Sequence, residues 1–261
     1  MRPEQFTAPV AGHLLRSGIV LGYHDIIADS APVYRYAVRR SVFRQQLRTV
    51  RSLGYRFVPF AELSAGLLRG EPVAGLAAVL FDDALVGVYR HALPWLTEQH
   101  TPWTLLPVTA RLGTAPPWWA PADRTMTRTE VTEAVAAGAQ LAGHTATHPS
   151  LPQLSDAAVR EELTRSRELL SEWGNREVTD LCYPFGHQDA RVRALTAAAG
   201  YRTGWTFTNG RCRAGDEPFR LHRMAMHDGL RGPTWWKTLL RPHWTWPAVT
   251  DTPASPAGRP A

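Results

Sequence analysis

Two histidines four residues apart, His144 and His148 in the run Gly143-His-Thr-Ala-Thr-His-Pro149, are well placed to bind a metal ion. On a helix this spacing would stack both imidazoles on one face, but Pro149 disfavours the α region for the residue before it. The segment therefore reads as a loop with His148 extended or in a turn, leaving the apolar stretch 139–142 and offering two imidazoles to one point. Two neutral imidazoles lack the anionic ligand that most divalent-ion sites include. Asp82 and Asp83 can supply it, because they close the apolar run 77–81, which reads as a buried strand. Taken singly, a histidine pair before proline is often merely solvated, and Asp-Asp after a strand is often a turn or a helix cap. The combination carries the weight.

In these motifs and one more, the chain resembles a known family. Leu80-Phe81-Asp82-Asp83-Ala84 is similar to the Thr-Phe-Asp-Asp-Gly signature of the NodB-like polysaccharide deacetylases. His144-Thr145-Ala146-Thr147-His148-Pro149 is similar to their His-Ser/Thr-x-x-His-Pro signature, and Tyr23-His24-Asp25 to one of the intercellular-adhesin-type branch. The resemblance runs from about residue 19 to about residue 226. It implies an irregular α/β barrel of about seven parallel strands and metal-dependent removal of an acetyl group from an N-acetylated sugar. It also implies roles: Asp83, His144 and His148 hold the ion, Asp82 is the general base, His24 donates the proton, and the Phe185 backbone N–H supports the oxyanion.

Chemistry agrees with this division of labour. Amide hydrolysis needs an activated water, a stabilised oxyanion and a proton for the departing amine. Three protein ligands leave open positions on the ion, and the strand pleat turns the Asp82 side chain away from that of Asp83. Two imidazoles and a carboxylate suit zinc, and also cobalt, nickel, manganese or iron. Two departures stand out. Cys182-Tyr183-Pro184-Phe185 lacks the arginine that holds the base aspartate in the wider family, and Arg223 is the candidate replacement, or else an ordinary surface arginine. Ala84 stands where the family has glycine, and it would be strained if the position needs φ > 0. His222, beside Arg223, is a rival proton donor; His187 could line the cleft; His91, His100 and His243 read as solvated.

The elements that must position these groups alternate along the chain. Strands are expected at 19–23, 55–58, 77–81, 103–108, 180–183, 202–207 and 219–226, with His24 and Asp25 leading from the first into a polar loop. Helices are expected from a Ser41 cap to Gly54, over 59–68, over 85–99 with Pro94 kinking or dividing it, from the Thr127/Glu130 capping box to Val135, from Ser155 to Trp173, and from an Asp189 cap to Ala199. The proline-tryptophan loop 113–122 reads as rigid and aromatic. Alternation argues for parallel βαβ units, with chemistry at the strand ends.

At 261 residues, 44% apolar and 20% charged, the chain can form one domain. Residues 1–18 are expected as a lead-in, 19–230 as the barrel, 231–247 as a tryptophan-rich basic segment and 248–261 as a disordered tail. No 18-residue apolar run and no signal-peptide core precede the first strand, so a cytoplasmic location is expected. Two cysteines, Cys182 and Cys212, make no disulfide framework. The charge of +6, from 29 basic and 23 acidic residues, suits a phosphorylated, nucleotide-linked or membrane-surface substrate, or reflects arginine-rich composition alone. Trp235, Trp236, Trp244 and Trp246, with Lys237 and Arg241, can meet a membrane surface, stack on sugars or pack a C-terminal helix. A glycosidase is disfavoured, because its carboxylates must flank a bond roughly 5–10 Å apart rather than adjoin in sequence. A non-catalytic glycan binder with a decayed site is the alternative, and no nucleic-acid partner is expected.

Overall fold

The alternation of apolar runs and amphipathic stretches becomes an alternation of strands and helices. The computed structural model describes residues 17–119 and 122–240. Its first third runs β1 (Ile19–Tyr23), β2 (Asp25–Ile27), β3 (Ala37–Arg39), α1 (Arg40–Ser52), β4 (Arg56–Phe57), α2 (Phe60–Leu68) and β5 (Leu76–Asp83). Next come a π-helical turn (Val88–Ala92), α3 (Leu93–Glu98), β6 (Thr104–Pro107), α4 (Arg128–Ala136), β7 (Gln140–Leu141) and α5 (Asp156–Trp173). Then follow β8 (Asp180–Cys182), α6 (Ala190–Ala198), β9 (Thr203–Trp205), β10 (Met224–Ala225) and α7 (Gly232–Leu240).

Every ladder between these strands is parallel. The main sheet has the order β10-β1-β5-β6-β7, with β4 also on β5, and β8 pairs with β9. Two isolated parallel bridges, Gly143↔Leu181 and Trp205↔Leu221, link β7 to β8 and β9 to the segment entering β10. Seven strands thus follow one another in a circle, joined in two places by single bridges rather than ladders: an irregular α/β barrel.

Side-chain alternation sorts the core into layers. Val20, Ala78, Leu80, Leu106, Ala142, Cys182, Trp205 and Leu221 pack together with Phe60 from α2. The intervening residues of the same strands, among them Leu21, Val79, Phe81 and Leu105, pack with Phe43, Leu47 and Val50 of α1. Asp82 continues the Ala78-Leu80 face by the period of two, so its carboxylate tops the first layer.

Local expectations hold in part. The Thr127/Glu130 capping box forms, and Ser155 and Asp189 cap their helices. Ser41, however, is not a cap: α1 starts one residue earlier, and the Ser41 N–H donates to the Asp29 carboxylate at 2.8 Å. The expected helix over 85–99 divides into the π-helical turn and α3, because Pro94 supplies no N–H to the preceding turn. The segment after His24 is no polar loop; Asp25–Ile27 pairs with Ala37–Arg39, burying Ile26 and Val38. No helix among the described residues is long and apolar enough to cross a membrane. The lead-in through residue 16, the tail, His243, Trp244 and Trp246 lie outside the described residues.

Candidate active site

Asp83, at the end of β5, meets both histidines of the loop after β7. Its Oδ1 lies 3.5 Å from His144 Nε2 and 3.4 Å from His148 Nε2. Ligands about 2.1 Å from a tetrahedral ion are separated by about 3.4 Å, so these two spacings are those of a cation site. Asp83 Oδ1 and His144 Nε2 are buried and have no protein hydrogen-bond partner. His144 Nδ1–H donates to the Cys182 carbonyl at 2.7 Å, which leaves the Nε2 lone pair facing Asp83. The donor set therefore fits a divalent ion, and Asp83, His144 and His148 form such a group among the described residues. Of the two conformations expected for His148 ahead of Pro149, extended or in a turn, it takes the turn. It sits at φ 66°, its N–H held by the Thr145 hydroxyl at 3.0 Å.

Asp82 faces other partners. Arg223, 1% exposed and so no surface arginine, donates from Nη1 to Asp82 Oδ1 at 2.6 Å and from Nε to the Thr206 carbonyl at 3.0 Å. Gly22 on β1 makes room for it: a Cβ there would lie 3.1 Å from Nη1. His24, just past β1, brings Nε2 to 3.6 Å from the other oxygen, Asp82 Oδ2. Asp25 does not orient His24; the Tyr34 hydroxyl donates to it instead, across a separate pocket.

His24, Asp82, His144, His148 and Arg223 line one cavity of about 320 Å³, walled by Arg35, Tyr36, Trp118, Trp119, Phe185, His187 and Phe207. Phe185, at φ 59° and 41% exposed, sets its ring edge against His148 at 4.6 Å. His24 is boxed by Tyr36, Trp119 and Phe207, with ring centroids 5.0–5.5 Å away. His222 is not among the lining residues. Its ring packs over Gly210 instead.

Trp118 and Trp119 carry a contact that sequence reasoning missed. Both indole N–H groups donate to Asp83 Oδ2, at 3.0 and 2.7 Å, and Trp118 stacks on His148 at 4.2 Å. One carboxylate oxygen is thereby committed to the tryptophans, and the other is left for the histidine side. The proline-rich loop was a visible signal, but the direction of its indoles was not.

Burial and charge pull against each other here. Burial raises the Asp82 pKa, but the Arg223 cation and nearby histidines outweigh it and hold Asp82 below its ordinary value. Burial also opposes ionisation of Asp83, yet His144 and His148 keep it well below the carboxylate range. Burial lowers His24, and it lowers His148 to about 3, against the pull of the aspartates. His144 moves the other way because Asp82 and Asp83 outweigh its burial.

The polysaccharide deacetylase family model matches residues 69–204, just over half of the chain. His24 and Arg223 lie outside that span. YxkH of Bacillus subtilis, named for the same family, is 22% identical over 214 residues, 82% of this chain and 72% of its own. Among solved structures, the Streptococcus pyogenes deacetylase PplD in complex with acetate superposes with a TM-score of 0.74 at 24% identity, covering 85% of this chain and 98% of its own. IcaB from Ammonifex degensii gives 0.72 at 25% identity, covering 86% and 96%. With its Asp-Asp strand end and its His-x-x-x-His-Pro loop both inside the matched span, the chain belongs to the polysaccharide deacetylase family.

Proposed function

We propose that the chain is a metal-dependent hydrolase that removes the acetyl group from an N-acetylated sugar, giving acetate and a free amine. The observation that carries this reading is the division of two adjacent carboxylates within one cavity. Asp83 faces two imidazoles, while Asp82, held ionised by Arg223, faces His24. A divalent ion held by Asp83, His144 and His148 would supply Lewis-acid polarisation and lower the pKa of water; zinc fits the donors, as do cobalt, nickel, manganese or iron.

The remaining chemistry falls to the chain's own side chains. Asp82 takes a proton from the attacking water, whose oxygen bonds to the amide carbon. His24, 3.6 Å from Asp82, returns a proton to the nitrogen as the C–N bond breaks, so acetate and the amine leave balanced. The backbone N–H of Phe185 supports the oxyanion. The surrounding aromatic rings offer stacking faces for the sugar and limit access of other water. The sugar is a unit of a glycan, or is lipid-linked or nucleotide-linked.

An acetate-release screen tests the reading, with metal-loaded protein offered N-acetylated sugars of these three kinds. Elemental analysis should find about one divalent ion per chain, and Asp83→Asn or His148→Ala should weaken binding by roughly tenfold or more. Asp82→Asn should keep the ion and lose turnover. Metal-loaded protein that binds such sugars without releasing acetate would be a glycan-binding member of the fold instead.

A further inference from the structure

The loop that carries both histidines adopts a strained path. Thr145 and His148 lie at φ 67° and 66°, a region costly for any residue with a Cβ. Partners outside the loop account for much of its hydrogen bonding. The Thr145 and Ala146 carbonyls accept from the N–H groups of Thr109 and Ala110. The amides of Ala146 and Thr147 both donate to a single carboxylate oxygen, Glu162 Oε2, at 2.9 and 2.8 Å. The Thr147 hydroxyl donates to Glu162 Oε1 at 2.6 Å. Glu162 stands on α5, a helix anchored through Val159, Leu163 and Leu170 in a buried cluster, so the carboxylate is presented from a rigid support. Glu162 itself does not line the cavity.

We propose that Glu162 is a positioning residue that fixes the separation of His144 and His148, and so sets the affinity of the triad for a divalent ion. The inference rests on the metal-binding reading of that triad. Hydrogen bonds to Glu162 hold the loop in this path. Three of them converge on the two residues that separate the strained positions. Without them the turn relaxes toward negative φ. Thr145 adjoins His144 and His148 is itself strained, so that relaxation swings both imidazoles away from Asp83 Oδ1. Groups that orient metal ligands from outside commonly govern roughly ten- to hundredfold in affinity.

The test uses the metal-stripped full chain and three variants: Glu162→Ala, Glu162→Gln and Thr147→Val. Zinc affinity is measured by competition with a chromophoric chelator, and amide exchange at residues 146 and 147 is followed before zinc is added. Glu162→Ala should raise Kd roughly ten- to hundredfold and speed exchange at both amides. Glu162→Gln, whose carbonyl oxygen can still accept both N–H groups, should stay within roughly threefold of wild type, and Thr147→Val should fall between. At saturating zinc the KM for the sugar should be unchanged in all three. Unchanged zinc affinity in Glu162→Ala, with only a lowered Tm, would make the contact merely structural and overturn the proposal. Equal losses in the Gln and Ala variants would overturn it too, because geometry would then not be what the carboxylate supplies. If Glu162→Ala fails to fold, Thr147→Val decides: a Kd raised more than roughly threefold with faster exchange at residue 147 supports the proposal, and wild-type affinity overturns it. A wild-type chain that binds no zinc overturns the metal reading and this inference with it, an outcome distinguished by the wild-type arm alone.

Discussion

Asp82 and Asp83 are adjacent, yet one faces a cation and a histidine while the other faces two histidines and two indoles. The strand pleat begins this separation, and the turn of Asp83 to φ 64° completes it. His24 is the residue whose role depends most on that arrangement. It touches Asp82 and is boxed by aromatic rings, and it does not belong to the Asp83 triad. His24→Ala should therefore keep fold and metal and lose roughly two orders of magnitude or more in amide turnover. The loss should be smaller on an activated acetyl ester, whose leaving group needs no proton; equal losses on both substrates would move the role elsewhere. Its neighbour Asp25 makes a prediction about stability instead. Burial pushes the Asp25 carboxyl up to about 6 from an ordinary value of 3.8, even with the Tyr34 hydroxyl donating to it. A carboxyl raised on folding contributes stability fully below its unfolded pKa, and that contribution is lost as pH rises through the folded value. Between about pH 4 and 6 the chain should lose roughly 3 kcal/mol from this group. Asp25→Asn should flatten that part of a Tm-against-pH profile, and a slope identical to wild type would refute the assignment.

At the scale of elements, the site is a set of strand ends, and this much was legible in the sequence. Apolar runs ending in Asp82-Asp83 and in Tyr23-His24 announced strands with polar residues at their C-terminal ends, and the glycine and proline punctuation marked the loops. What stayed hidden was held by partners distant in sequence. The Cys182 carbonyl holds His144, and Glu162, one charged residue among several on its helix, holds the histidine loop; Arg223 was legible as a candidate partner of Asp82, and its burial against that carboxylate decided between that role and a surface arginine. Short strands such as Asp25–Ile27 were likewise illegible, since three residues carry no usable period. Ala84 shows how an element absorbs a departure from pattern. It sits at φ 53°, a conformation costing an L-residue roughly 1–2 kcal/mol, but its methyl group is fully buried in the core, worth roughly 0.8 kcal/mol. Glycine would relieve the strain, lose the burial and gain unfolded-state entropy worth roughly 0.4–1 kcal/mol. The opposing effects nearly cancel, so Ala84→Gly should shift Tm by no more than about 3 °C. A rise well beyond about 5 °C would show the strain to be uncompensated.

Across the whole molecule, the two ends of the described chain are stitched to the barrel near the first strand. Gln46 on α1 accepts from the Tyr23 hydroxyl at 3.0 Å and donates to the carbonyls of His227 and Leu230, while the Trp235 indole donates to the Gln46 carbonyl at 3.3 Å. Trp235 is thereby buried as a packing residue, whereas Trp236 is 40% exposed. The candidate metal ligands sit on the opposite side of this economy: Asp83 on the central strand β5, the histidines in a strained loop reached through the two-residue strand β7 and joined to β8 by a single bridge. An ion bound there would tie the best-paired strand to one of the most weakly paired parts of the circle. It binds the folded arrangement and finds no equivalent in the unfolded chain, so at a free concentration a hundredfold above Kd it should stabilise by about 2.7 kcal/mol. For a chain of this size that corresponds to a Tm increase of roughly 5–11 °C on adding zinc to stripped protein, reversed by a chelator. Asp83→Asn should abolish most of the increase. Asp82→Asn, whose carboxylate faces Arg223 and His24 rather than the triad, should retain it. An equal zinc response in wild type and Asp83→Asn would place the stabilising ion somewhere other than the end of β5.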